Sequence, residues 1–470
     1  MLTSTLSYRL RRRFGTAWTA PLLTMAARHG MAALAARLLA SQVRFAGGAG
    51  GQGDGVVRLL LLSKAGFTED MAATFDAEAT VRLLALDRSL TKAVYTAFLP
   101  PEIDDNNYHS AGPEYDGGKR ALRAFWAAIW PRLGAAVRID AVLSGNFAYY
   151  AERELQAVLE ESGTPFIALH KENLKSEGRS AFFTDIYRTR RGCFAGRRIL
   201  VYNAVEREVQ IAAEVAAPET VTVTGMPRLD RMHTWRRAAA SAAAPERRPC
   251  ALFFSFTEKT GLPFLPRKKL AGVAGNIEVL GDGRDTLAWN ELTRLFHDAA
   301  AALARRAPDI DVVIKSKADR RALDALRRHV TAHGDMPANL SIISGGDPMT
   351  LIAGADAVTG FISTALFEAL AAGKPVVSPR FAEAADPVMA DYLIDMAAAV
   401  DYADTPEALV EAMAVHARAR AKPSAELTAD RAALLERWTG NADGGAGRRV
   451  AHAVLATVAA TRKAAGKAAS

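Results

Sequence analysis

Cysteine is nearly absent: Cys193 and Cys250 are the two in 470 residues. That excludes a disulfide framework or a cysteine-rich zinc site and suits a reducing compartment such as the cytoplasm. Aromatic residues make up 7%, yet hydrophobic residues reach 50%, which excludes a disordered chain, and a length of 470 residues favours two domains over one. No apolar run approaches the ~18 uninterrupted residues of a membrane-spanning helix. The nine histidines are scattered, and His329 and His333, four apart, lack the HExxH pattern, so no metal site is expected. "DID" (309–311) precedes a strand instead of ending one, which argues against a metal-binding Asp-x-Asp. A GxSxG elbow and a Walker A sequence are missing. "SKAGF" (63–67) lacks the further glycines of a dinucleotide fingerprint, so no cofactor is expected.

Acidic residues are missing from both ends. The first 53 positions hold seven arginines and no acid before Asp54, and no acid follows Asp443. The net charge of +8 therefore sits at the termini and leaves a slightly acidic body. A nucleic-acid-binding domain would carry its basic excess on the body, so nucleic acid is not an expected partner. "YRLRRRFGTAWTAPLLTMAARHGMAALAARLLASQVRF" interleaves arginine with Phe14, Trp18, Leu22, Leu23, Met31, Leu34, Leu38 and Leu39. Such a basic amphipathic segment suits an anionic membrane interface through residues 1–45, while a transit peptide or a disordered tail shares the composition. "GGAGGQGDG" (47–55) reads as a flexible linker closing this N-terminal segment at residue 55.

From residue 56 short apolar runs alternate with helical patterns, the mark of parallel α/β sheets. Strands are expected at 56–63, 81–87, 139–146, 164–170, 197–204 and 220–227, in a domain spanning 56–235. The alanine- and proline-bearing stretch 236–249 reads as the single interdomain linker. Further strands at 250–258, 310–317, 339–346, 356–361 and 374–379 place a second domain at 250–404, followed by C-terminal helices and a basic tail at 405–470. The expected architecture is α/β: two Rossmann-like domains with a helical C-terminus, and a ligand in the cleft at the strands' carboxyl ends.

The strongest local signal is "GADAVTGFISTALFEALAAGKPVVSP" (354–379). Ser363 is placed to cap a helix whose dipole then faces a phosphate, with Thr364 beside it. Glu368, one turn on, could accept hydrogen bonds from ribose hydroxyls; a plain capped helix with Glu368 solvated is the other reading. "EALAAGKPV" (368–376) resembles the donor-nucleotide helix of the GT-B glycosyltransferases, with Gly360 where one retaining group carries a second Glu. "VTGMPRLD" (223–230) looks like the Gly-x-Pro-Arg-x-Asp motif of CDP-glycerol glycerophosphotransferases and related surface-carbohydrate transferases. There Arg228 could fork a phosphate across the cleft or merely pair with an acid such as Asp230. "VVIKSKAD" (312–319) keeps Lys315, while Lys317 and Ala318 replace the His-Pro of those families. Two lysines at alternate positions share one side of a strand end and could both face a diphosphate.

"FIALHKENLKSEG" (166–178) ends a strand with His170, Lys171 and Glu172. The resemblance implies His170 as catalytic base; Glu172 is a candidate to orient it, and a structural histidine is the other reading. Gly145 and Asn146, with Lys171, are candidate cleft or acceptor contacts. The resemblance spans roughly residues 56–415. It implies a GT-B arrangement and a metal-independent transferase, with a nucleotide-sugar donor and a glycan or lipid-linked acceptor at the cytoplasmic face of the membrane. A UDP-GlcNAc 2-epimerase-like enzyme, a CDP-glycerol-type phosphotransferase and a non-catalytic nucleotide-sugar-binding assembly protein remain alternatives.

Overall fold

A computed structural model describes residues 2–48, 53, 55–64, 66–105, 107–109, 111–171, 173–189, 192–243, 246–263, 287–316, 320–332 and 334–469. Two of the expected site residues, Glu172 and Lys317, lie outside the described residues, as does His333.

The strands of the first sheet are β1 (Arg44–Gly47), β2 (Val57–Ser63), β3 (Val81–Asp87), β4 (Ala141–Ser144), β5 (Phe166–Leu169), β6 (Arg198–Val201) and β7 (Val221–Val223). Those of the second are β8 (Cys250–Phe254), β9 (Asp311–Lys315), β10 (Leu340–Ile343), β11 (Ala357–Thr359), β12 (Val376–Pro379) and β13 (Asp401–Ala403). Strands such as β2, "VRLLLLS", are almost continuously apolar because helices cover both faces of a parallel sheet. The spatial orders are β1-β3-β2-β4-β5-β6-β7 and β10-β9-β8-β11-β12-β13. All pairings are parallel except β1 against β3. Each sheet reverses its winding once, between β2 and β4 and between β8 and β11. Those switch points open a crevice at the carboxyl ends, where α/β proteins place their ligands.

Three expected boundaries need correction. Residues 1–55 are not a separate segment. The helices Leu2–Arg28 and Ala32–Gln42 carry Leu23, Ala26, Ala35 and Leu39 into the first domain's core, and β1 extends its sheet. The apolar residues of this stretch thus had a tertiary partner that its composition did not reveal. Residues 236–241 are not linker either, because the helix Asp230–Ser241 runs through them. Arg236, 4% exposed, donates to the carbonyls of Ala371 and Ala425, which fastens that helix to the second domain.

The third correction concerns the C-terminus. The helix Pro406–Ala419 belongs to the second domain, with Leu409 and Met413 fully buried in its core. The helix Ala429–Thr439 still packs on the second domain, against the helix Thr364–Ala371, and the last helix, Ala446–Ala469, then returns to the first domain, so the chain crosses the junction twice, not once. Val450, Val454 and Val458 join Phe67, Met71 and Phe75 in a core that also contains Leu366 and Leu370 of the second domain. Asp230 anchors the return. It accepts from the amides of Gly447 at 2.7 Å and Ala446 at 3.2 Å, and from Asn441 Nδ2 at 2.7 Å. A carboxylate at a helix N-terminus satisfies orphan amides and matches the dipole.

Asp230→Ala is therefore expected to lower stability by about 1–2 kcal/mol. Urea denaturation checks this, and an unchanged midpoint would show that the returning helix does not depend on its cap.

Candidate active site

The segment 223–230 builds the junction residue by residue. Gly225 has φ +87°, and a Cβ there would stand 2.3 Å from the carbonyl oxygen of Gly440. Only glycine allows this approach of the two crossing chains. Pro227 opens a short turn, Pro227–Leu229, that aims Arg228 into the crevice. Its Nε and Nη2 donate to both carboxylate oxygens of Asp70, at 3.1 and 2.9 Å, while Nη1 lies 3.5 Å from Glu368 Oε1. One guanidinium thus joins an acid of the first domain to an acid of the second. Asp230 is not its partner.

Lys171 belongs to the same cluster. Its Nζ donates to Asp70 Oδ2 at 2.7 Å, and burial pulls its pKa down against that carboxylate's attraction. Gly66 (φ +76°) leaves room beside the guanidinium, since a Cβ there would lie 3.2 Å from Arg228 Nη2. Glu368 is 2% exposed. Burial raises its pKa to about 7 despite the Arg228 charge, so this carboxyl can donate as well as accept near neutrality.

Across the crevice Ser363 caps the helix Thr364–Ala371, its Oγ accepting from the Ala365 amide at 3.2 Å. The turn before it is strained: Ile362, a β-branched residue, adopts φ +42°. Its side chain packs where Gly261 (φ +74°) has none, a Cβ there falling 2.8 Å from Ile362 Cγ2. Thr364 is half-buried on the face that carries Glu368, while Leu366 and Leu370 are fully buried toward the sheet. Beside the cap lies a cavity of about 330 Å³, lined among others by Phe361, Ser363, Leu366, Arg380, Met396 and Tyr402.

The structure thus brings Arg228, Lys171, Glu368, Ser363 and Thr364 to one crevice. It does not bring Lys315 there. That ammonium donates to the carbonyls of Ser316 and Ser344, at 2.9 and 3.2 Å. Ser344 follows β10, so the side chain leans toward the far edge of the sheet. β8 separates β9 from β11, which puts Lys315 about 10 Å sideways of the Ser363 turn.

His170 must also be corrected as catalytic base. It is 1% exposed, with Nε2 3.2 Å from Glu206 Oε1 and 3.4 Å from the Tyr187 hydroxyl, and Phe147 packs edge-on against the ring. Glu206 is its observed acid; a buried Lys175 pairs with the same carboxylate. A base must reach the proton it takes, and a ring 1% exposed among these neighbours does not present its nitrogens to a substrate hydroxyl. The strand-end position was legible, but the helix Glu177–Arg188 that roofs the ring was not. Gly145 lies against Phe67, and Asn146 accepts from the Ala148 amide at 2.8 Å; together they shape a turn at the crevice edge.

Sequence reasoning missed Asp70, although it follows the first strand's glycine loop at the switch point. It also missed a set at the carboxyl ends of β2, β3 and β4. Arg88 donates to Glu152 Oε1 at 2.7 Å and stacks 3.2 Å from the Tyr149 ring centroid, whose hydroxyl accepts from Lys64 at 3.3 Å. Burial raises Glu152 to about 7, against the Arg88 charge. Among the described residues no cluster of three His, Cys, Asp or Glu side chains could hold a metal ion.

Two outcomes follow. The folded pKa of Glu368 exceeds its ordinary 4.5, so its contribution to stability is full below about 4.5 and is lost as pH rises through about 7. Glu152 acts with the same sign, so the comparison is with Glu368→Gln, whose melting temperature should fall less than that of the parent over this window. Parallel profiles would contradict the raised pKa. For His170→Gln we expect lower stability, on the order of 2–4 kcal/mol. Urea titration checks this, and an unchanged midpoint would contradict a supporting role for the ring beside Glu206.

No family model matches the sequence, and no curated protein matches it. Among solved structures, a candidate UDP-N-acetylglucosamine 2-epimerase from Listeria monocytogenes is similar at 11% identity and a TM-score of 0.47, over 85% of this chain and 96% of that one. An α,α-trehalose 6-phosphate synthase from Burkholderia multivorans is similar at 12% and 0.43, over 87% and 98%. A wall teichoic acid polymerase is similar at 9% and 0.41, over 70% and 75%. At these values the likenesses leave any argument for activity with the residues of the crevice.

Proposed function

We propose that this chain is a glycosyltransferase that moves a sugar from a nucleotide-activated donor onto a cell-surface glycan or lipid-linked acceptor, on the cytoplasmic side of the membrane. The observation that carries the reading is the pairing of two positive features across the crevice. The Ser363-capped helix end belongs to the second domain, and the Arg228 guanidinium is presented by the first. In glycosyl transfer the largest developing charge is on the departing nucleotide phosphate, and preorganised positive ends lower its energy most. The cavity beside Ser363 has the size and aromatic lining that suit a nucleobase.

In this reading the donor phosphates draw Arg228 away from Glu368. That frees a carboxyl, poised between its two protonation states, to bond a ribose hydroxyl from one turn below the phosphate. Asp70, itself held by Lys171, holds the guanidinium from the first-domain side, so donor binding also pulls the domains together. The resemblance of 368–376 and 223–230 to GT-B and surface-carbohydrate transferases agrees with these roles. The sealing of His170 favours one second reading, a nucleotide-sugar-binding assembly protein without turnover.

A thermal-shift screen with CMP, CDP, UDP, GDP and ADP tests the site. One nucleotide at a hundred times its dissociation constant should add about 2.7 kcal/mol of stability. Arg228→Met should weaken that response. The matching nucleotide sugar then decides between readings: release of the nucleotide in the presence of an acceptor supports transfer, and tight binding without release supports the assembly protein. No response to any of the five would overturn the donor site itself.

A further inference from the structure

The N-terminal helix Leu2–Arg28 has two apolar faces, and the first domain uses one of them. Inward, Thr19, Leu23, Ala26 and Ala27 are buried, and Thr24 Oγ1 donates to the Ala93 carbonyl at 2.8 Å. Outward, Trp18 is 76% exposed, Leu22 46% and Met25 44%. Their spacing of four and then three residues keeps them on one stripe of the helix. Past the turn at Gly30 (φ +65°), Met31 adds another side chain, 45% exposed. Arg28 and Arg37 are exposed near the end of this stripe and on the following helix.

We infer that this outward face docks the protein onto an anionic lipid surface. The inference is independent of the transferase reading. An exposed stripe of tryptophan, leucine and methionine is costly in water and suits the boundary between headgroups and acyl chains. The charge around it selects the lipid: the first 53 residues of the sequence hold seven arginines and no acid. The same charge argues against a second copy as occupant, because a two-fold contact would bring together two N-terminal stretches of like net charge. Among the described residues no helix is long and apolar enough to cross a membrane. The contact is therefore one face deep. It also differs from the face that composition alone offered, since Leu23 and Leu39 are core residues.

The placement has a consequence for substrate access. Thr16, on the inner side of the same helix, lines a pocket of about 270 Å³ together with Ser63 and Asp87 at the carboxyl ends of β2 and β3, and Glu69 beside Asp70. The docked face thus lies about 10 Å, one helix diameter, from a pocket at the edge of the crevice. On the transferase reading, which the docking itself does not require, a lipid-linked acceptor would reach that pocket without leaving the membrane.

The test is vesicle co-sedimentation of the full chain. Vesicles of phosphatidylcholine and phosphatidylglycerol in equal parts should bind it roughly tenfold better than phosphatidylcholine alone, and added salt should reduce the difference. The triple variant Trp18→Ser, Leu22→Ser, Met25→Ser should lose this binding with an unchanged melting temperature, because all three side chains are exposed. If the triple variant misfolds, Arg28→Glu with Arg37→Glu serves as the second probe and should lower binding to the anionic vesicles selectively. Absence of binding by the parent chain, or equal binding by a folded triple variant, would overturn the inference. So would a dimer, seen by light scattering, that the triple variant converts to monomer without any vesicle binding by the parent.

Discussion

Arg228 is the constraint on which the junction depends. A guanidinium cannot give up its charge, so wherever the crevice buries it, carboxylates must accompany it. Asp70 supplies one from the first domain and Glu368 the other from the second. The same short segment also caps the returning helix through Asp230 and lets the chains cross at Gly225. The eight-residue stretch 223–230 therefore determines both how the domains meet and what charge faces a ligand between them.

This arrangement gives the two acids of the cluster different characters. Asp70 accepts hydrogen bonds from Arg228 and Lys171, whereas Glu368 meets the same arginine at a longer distance and with less access to water. Burial then wins over charge at Glu368 and lifts its pKa toward neutrality, while the partnered Asp70 is the anchor. A phosphate entering between the Ser363 turn and Arg228 would compete with Glu368 before it competed with Asp70. The weaker of the two contacts is the one between domains, which is where a closing motion needs it to be weak.

Much of the crevice's second-domain side was legible because its signals are local. A Ser before an apolar helix caps that helix whatever surrounds it, and Glu368 follows four residues after Thr364 on the same face. Arg228 was legible as a cleft residue, but its partners were not, since Asp70 and Glu368 lie far from it in the chain. His170 shows the limit most clearly. A histidine at a strand's carboxyl end reads the same whether the next helix leaves it open or covers it, and the helix Glu177–Arg188 covers it. Lys315 failed for a related reason: strand alternation gives the side of the sheet, not the direction in which a flexible side chain finds its carbonyls.

Hydrophobic periodicity and turn residues were enough to establish two parallel α/β sheets, because strand and helix patterns depend on neighbours a few residues apart. They placed eleven of the strands in the order found, and missed β1 and β13, which are short edge strands of three or four residues. What only the tertiary structure decided was which apolar and charged groups face one another. The basic N-terminal stretch could have been a tail or a membrane segment by composition, yet Leu23 and Leu39 fill the first domain's core while Trp18, Leu22 and Met25 remain outside. The last helix could have ended either domain, and Asp230 brings it back to the first. Burial and ion pairing are sums over contacts distant in the chain, so no local pattern of residues can state them in advance.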